Sequence, residues 1–150
     1  KMFGYAKPAW IKSEHVTPPF RYAWEETYST LSALRESEGD PFNGVLLTYK
    51  HPLDGGPTLP TFACEVQLLR PREKTKSHRH NSTTVYHAFR GEGVTVVDEA
   101  RLEWAQGDIF VVPPWSRHQH ETRQNQDAIL FSITDWPAMV ALGIYREETA

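Results

Sequence analysis

Apolar and polar residues alternate with a period of two in several short stretches from residue 61 onward. The clearest example is TFACEVQLL (residues 61–69), in which every second position is taken by Phe62, Cys64, Val66 and Leu68. This repeat predicts a strand with one face on the core. Further strands are predicted in TVYHAFR, GVTVVD, RLEWA, DIFVVP and AILFSITD, which glycine or polar turns separate. Short strands at this spacing favour a β-sandwich or a closed barrel over alternating α/β units.

Two other segments predict one short helix each. In YAWEETYSTLSALRES (residues 22–37), the spacing of an amphipathic helix is approached by Trp24, Tyr28, Leu31 and Leu34. Near the carboxyl end, DWPAMVALG has Asp135 at a capping position, Pro137 in the first turn and Gly143 after the last turn.

The start of the chain has a different character. The first residues hold Pro8, Pro18 and Pro19 and show little periodicity, which predicts an extended arm lying on another surface. The segment GVLLTYKHP then predicts a first strand. We therefore predict one structural domain, with the arm and a short helix over residues 1–44 and a barrel with its carboxyl-terminal helix over residues 45–150.

Composition excludes several classes of protein. The formal net charge of the 150 residues is -3, and the basic residues form no cluster, so a nucleic-acid partner is not expected. The single cysteine, Cys64, has no partner for a disulfide, which favours a reducing compartment. No apolar stretch approaches the roughly 20 residues that span a bilayer. We therefore expect a cytoplasmic protein without a membrane partner.

The candidate chemistry lies in two pairs of histidines. His78 and His80 alternate along a predicted strand, so their side chains should share one face, about 6–7 Å apart. A second pair, His118 and His120, follows another predicted strand. Neutral imidazoles that leave coordination positions open suit iron, zinc, copper or nickel. The alternative interpretation is that both pairs lie in solvated surface turns.

The residues around these histidines resemble the two motifs of the cupin superfamily. The first motif, G-x5-H-x-H-x3,4-E-x6-G, is matched by His78, His80 and Gly91, with Thr84 in the place of the glutamate. The second, G-x5-P-x-G-x2-H, is matched by Gly107, Pro113 and His118, with Trp115 in the place of its second glycine. The resemblance implies an all-β, jelly-roll-like cupin barrel (a double-stranded β-helix) whose metal-ligand positions are His78, His80 and His118.

The absence of the glutamate narrows the resemblance to one group within the superfamily. HRH combined with PPWSRHQH, and the terminal LGIYREE, resemble the gentisate 1,2-dioxygenase group of two-cupin proteins, which includes salicylate and 1-hydroxy-2-naphthoate dioxygenases. The chain is similar to the second, carboxyl-terminal cupin of such a protein. The resemblance implies Fe(II) as the cofactor, with another divalent metal such as Zn or Ni, or no metal, as the alternatives.

The resemblance also implies roles for residues around the metal. Gln67 and His120 stand where the catalytic cupin of the group has a substrate-contacting glutamine and a substrate-bonded histidine. Tyr86 stands where the group has an arginine that binds the carboxylate of the substrate. Without this arginine, the carboxylate loses a bidentate cationic partner. The basic residues that could replace it are Arg72, Arg79 and Arg90. Trp115 is expected to wall the pocket.

The function implied is cleavage of a hydroxylated aromatic carboxylic acid by O2 at ferrous iron. The alternative is a non-catalytic cupin with an empty or vestigial metal site, which serves structure or oligomerisation. In either case we expect a homo-oligomer, packing against an amino-terminal cupin, or both. Glu147 and Glu148 are interpreted as a solvated helix face.

Overall fold

The computed structural model describes residues 8–10 and 18–149, so most of the predicted amino-terminal arm lies outside the described residues. The helices are α1 (Trp24–Leu34) and α2 (Trp136–Ala141). The strands are β1 (Val45–Thr48), β2 (Ala63–Leu69), β3 (His78–His80), β4 (Thr84–Arg90), β5 (Gly93–Val97), β6 (Ala100–Trp104), β7 (Ile109–Val112), β8 (His118–Glu121), β9 (Ala128–Thr134) and β10 (Glu147–Thr149).

The strands form two five-stranded antiparallel sheets, which confirms the predicted all-β architecture. One sheet has the order β1-β2-β9-β4-β7, and the other has the order β10-β3-β8-β5-β6. An apolar core between the sheets is built from Leu69, Tyr86, Ala88, Val97, Trp104, Phe110, Val112, Ala128 and Leu130. No helix of the described residues is both long and apolar enough to cross a membrane.

Strand β2 is covered on both faces, unlike the predicted strand with a single core face. Val66 and Leu68 belong to a second apolar cluster, which includes Leu31 of α1. The opposite face of β2 carries Glu65 and Gln67, and both of these residues line a cavity. Polar side chains that point into a barrel can line a binding site, whereas apolar side chains would fill the interior as a packed core.

Helix α1 forms as predicted, but its buried face differs from the predicted one. Leu31 and Thr27 are its buried residues. Tyr28 and Leu34 are about two fifths exposed, at 39% and 40%. The helix lies on β1, β2 and β9. This contact buries a narrower stripe of the helix surface than the spacing of its apolar residues suggests.

The carboxyl-terminal segment also corrects two expectations. Glu147 and Glu148 lie on β10, which pairs antiparallel with β3, and not on a helix face. Asp135 precedes α2 but makes no side-chain cap, since its Oδ1 accepts a hydrogen bond from the backbone N–H of Thr83 at 2.8 Å. Asp135 therefore ties α2 to the loop before β4.

The outer face of the first sheet is apolar beyond the area that α1 covers. Val85 on β4 pairs with Val111 on β7 and with Ile133 on β9, so the three side chains are neighbours on one face. Together with Ile109 they remain 40–68% exposed. This outer apolar face continues to the edge strand β7.

Leu31→Ala should destabilise the fold by about 2–4 kcal/mol, because Leu31 is fully buried at the contact between α1 and the sheet. Leu34→Ala removes the same atoms from the same helix at a position that is 40% exposed, and should cost less than about 1 kcal/mol. Urea unfolding followed by circular dichroism measures both. Equal losses would show that the packing of α1 described here is wrong.

Candidate metal centre

Three histidines from two paired strands meet inside the barrel. His78 on β3 lies directly opposite His118 on β8, and His80 follows on the same face of β3. One nitrogen of each residue lies within 4.8 Å of one nitrogen of each of the others. The shortest of these separations is 3.1 Å, between Nε2 of His78 and Nε2 of His118. The structure thus brings together the three positions that the cupin motifs indicated.

Hydrogen bonds orient two of these rings. His118 Nδ1 lies 3.0 Å from the carbonyl oxygen of Ser116, and His80 Nδ1 lies 3.1 Å from that of Ser82. A carbonyl oxygen only accepts, so we assign the ring protons to both Nδ1 atoms. Each Nε2 then presents a lone pair to the centre of the cluster, which is the form in which imidazole binds a metal.

The environment keeps the rings of His78 and His118 neutral. Burial, reinforced by the neighbouring histidines, lowers the pKa of His78 to about 4 and that of His118 to about 3. Metal binding therefore has no proton to displace from these two residues near pH 7.

The donor set and its spacing fit a divalent transition metal. Two nitrogens at right angles, each about 2.1 Å from one ion, are about 3.0 Å apart. The 3.1 Å between Nε2 of His78 and Nε2 of His118 is close to that value. His78 Nδ1 is buried and lacks a hydrogen-bond partner among the described residues, and Glu147 Oε1 lies 3.6 Å from it. A carboxylate behind a ligating imidazole is a common feature of metal sites.

Strand β10 pairs with the outer edge of β3 and stabilises it. Glu148 on β10 accepts hydrogen bonds from Arg79 of β3 at 2.9 Å and from Arg117, just before β8, at 2.7 Å. It therefore links the two strands that carry the three histidines. Asn81 adds backbone and side-chain hydrogen bonds to the segment that leads into β10.

Trp115 belongs to this edge and is not among the residues that line the cavity, which corrects the expectation that it walls the pocket. Its ring lies between the guanidinium groups of Arg79 and Arg146, at 4.5 and 4.9 Å. Its φ of 63° is in the left-handed region, as suits a position where the cupin motif has glycine. Two cation–π contacts help to offset that backbone strain.

A cavity of about 330 Å³ opens beside the histidines. The expected residues Gln67 and Tyr86 line it together with His78 and His80, and Thr84 lies there in the place of the motif's glutamate. Gln67 is 2% exposed and donates from Nε2 to the carbonyl oxygen of Asn43 at 3.2 Å. The cavity size falls near the lower end of the range for small-molecule sites.

Sequence reasoning missed Glu65, which also lines the cavity. Its Oε1 accepts hydrogen bonds from Trp136 Nε1 at 3.2 Å and from Thr48 Oγ1 at 3.3 Å. Burial raises the pKa of Glu65, and these two hydrogen bonds oppose the rise. The period of two along β2 was the available signal, because it places Glu65 on the same face as Gln67.

The structure supplies no substitute for the missing guanidinium. Arg72, Arg79 and Arg90 are all absent from the described residues that line the cavity. Arg79 is engaged by Glu148 and Trp115, and Arg90 lies 5.0 Å from the ring centroid of Tyr28 on the outside. Tyr86 instead stacks on Phe110 and meets His120 edge to face, with ring centroids 5.0 Å apart in both pairs.

A chain of buried hydrogen bonds holds His120. Trp104 Nε1 donates to Thr95 Oγ1 at 2.9 Å, and Thr95 Oγ1 lies 2.8 Å from His120 Nδ1. The Thr95 hydroxyl therefore joins the indole of Trp104 to the ring of His120, whereas His120 Nε2 is buried and has no hydrogen-bond partner among the described residues.

His120 has no direct access to the cavity. The residue is 1% exposed, burial lowers its pKa to about 3, and it is not among the described residues that line the cavity. Its ring centroid is 6.0 Å from that of His118. The substrate contact implied by the resemblance would need Tyr86 to move, since Tyr86 packs against His120 and lines the cavity.

Comparisons with known proteins agree with this geometry. The family model described as "Cupin domain" matches residues 65–134. The 5-aminosalicylate 1,2-dioxygenase of Comamonas sp is 47% identical over 146 residues, which cover 96% of this chain and 39% of that protein. The gentisate 1,2-dioxygenase of Haloferax sp is 41% identical over 133 residues, or 87% of this chain and 36% of that protein.

A solved structure is also similar. The salicylate 1,2-dioxygenase from Pseudaminobacter salicylatoxidans matches with a TM-score of 0.76 and 32% identity, over 85% of this chain and 38% of that chain. The chain thus spans less than two fifths of the length of each of these three relatives. Residues 65–134 thus form a cupin domain, and the chain is similar to part of each of these 1,2-dioxygenases.

Proposed function

We propose that the chain is the carboxyl-terminal cupin of a two-cupin dioxygenase that opens the ring of a hydroxylated aromatic carboxylic acid with Fe(II) and O2. The names of its relatives as gentisate, salicylate and 5-aminosalicylate 1,2-dioxygenases support the reaction and the substrate class. The outer apolar face of β4, β7 and β9 supports packing against the other cupin of the polypeptide or a second subunit.

The observation that carries the proposal is the convergence of three imidazoles inside the barrel. His78, His80 and His118 would hold the metal through Nε2 and leave further coordination positions open. A ferrous ion held there would bring the phenolic acid and O2 together and delocalise electrons between them. The chain itself contributes the orientation of two ligands through Ser82 and Ser116, and exclusion of water by burial of His78 and His118.

The metal site is tested by loading the chain with Fe(II) under anaerobic conditions and measuring iron per chain. We expect about one ion per wild-type chain and loss of tight binding in His80→Ala, because two imidazoles hold a divalent ion far more weakly than three. His87→Ala is the matched control, since His87 lies on β4 and outside the cluster. Equal iron content in the two variants would contradict the assignment.

The cavity of this cupin is less suited to the ring-cleaving step itself. A charge-assisted bidentate contact to a carboxylate is worth roughly 1.5–3 kcal/mol, or about ten- to a hundredfold in binding. Tyr86 cannot make that contact, and the described residues that line the cavity include no Arg or Lys. This observation favours the second candidate function, in which this cupin supports the structure and assembly of the enzyme.

The iron-loaded chain alone should therefore consume little or no O2 with gentisate, salicylate or 1-hydroxy-2-naphthoate. Oxygen-electrode measurements at saturating substrate, with the metal-free chain as the blank, give the rate. Turnover near 1 per second, within the range of ordinary enzymes, would make this cupin a catalyst in its own right and would contradict the supporting role.

A further inference from the structure

The cavity beside the histidines has an acidic lining. Its acidic members are Glu65 on β2 and Glu147 on β10, and its lining residues within the described part of the chain include no Arg or Lys. The remaining polar lining comes from neutral groups such as Gln67 and Thr84. When no metal is bound at the histidines, a ligand that brings a carboxylate into this space would meet two like charges and no fixed cation.

Glu65 is fixed in place but its charge is not neutralised. Trp136 Nε1 and Thr48 Oγ1 donate to Oε1, and neither of these donors carries a charge. His80 and Lys50 are near enough to act on the carboxylate electrostatically, yet neither forms a salt bridge with Glu65. A half-buried carboxylate held this way is preorganised to accept a hydrogen bond from a cation.

The rest of the lining suits an aromatic ring. Tyr86, Trp136 and Tyr145 all contribute to the walls. Aromatic walls favour flat ligands by stacked or edge contacts, and their faces also attract a cation. The cavity of about 330 Å³ is sized for one substituted ring.

We propose that this cavity binds a small aromatic ligand with a positively charged amino group, and that Glu65 selects it. The inference rests on the second candidate function, in which this cupin supports the structure and assembly of the enzyme and does not itself grip the aromatic acid. It gives the cavity a ligand whose charge is opposite to that of a carboxylate.

Three probes that share a phenol ring test the charge preference: tyramine, 4-ethylphenol and 4-hydroxyphenylacetate. Each is titrated into the full 15N-labelled chain, and the indole N–H signal of Trp136 is followed by NMR because this group donates to Glu65. Trp136→Phe assigns the signal among the five tryptophans. We expect tyramine to bind with a Kd at least about tenfold below that of 4-hydroxyphenylacetate, with 4-ethylphenol between them.

Glu65→Gln should bring the three Kd values to within about threefold of one another, since it keeps the size of the side chain and removes its charge. Glu103→Gln, on the outer strand β6, is the matched control and should leave the preference unchanged. Equal or tighter binding of 4-hydroxyphenylacetate to the wild type overturns the proposal, and so does the absence of any Trp136 shift with all three probes. The wild-type ranking decides the matter even if Glu65→Gln does not fold.

The titrations are run with EDTA and again with Zn(II). The ranking is expected with EDTA, where Glu65 sets the preference, and Zn(II) at the histidines should weaken it because the ion attracts a carboxylate. A chain that binds no metal but shows the ranking in EDTA would count against the proposed function alone, whereas a metal-binding chain without the ranking in EDTA would count against this inference alone.

Discussion

The pairing of β3 with β8 that sets His78 opposite His118 is the constraint on which the rest of the site depends. A slip of one residue in either strand would turn its histidines to the opposite face and scatter the cluster. The pairing is short, since β3 has three residues and one of them is in register with β8. Its precision therefore has to come from the neighbouring elements.

Two contacts outside the ladder supply that precision. Glu148 joins Arg79 to Arg117, and the backbone N–H of Trp115 donates to the carbonyl oxygen of His80 at 2.8 Å. Both contacts tie the β8 side of the site to β3. Arg79 lies between His78 and His80 on β3, so its side chain points to the opposite face, where it joins this network. The alternation that turns two histidines toward the cavity therefore also keeps this guanidinium out of it.

Much of the fold and the cluster could be predicted from the sequence. The period of two located the longer strands, and motif spacing located His78, His80 and His118. Residues Glu147–Thr149 show no apolar alternation, because β10 is held by pairing with β3 and by ion pairs. The burial of His120 behind Tyr86 could not be predicted from the sequence either, because side-chain packing across the barrel depends on contacts between strands that are distant in the chain. Glu65 could have been found from the sequence, because the period of two places it on the same face as Gln67.

X-ray absorption spectroscopy of the Zn(II)-loaded chain tests the central claim most directly, because it counts the imidazoles bound to the ion. The account predicts three imidazole nitrogens at about 2.0–2.1 Å, with any remaining ligands being light oxygen donors. Removal of one imidazole contribution by His118→Ala would identify the cluster described here. A spectrum with one imidazole or none in the wild type would contradict it.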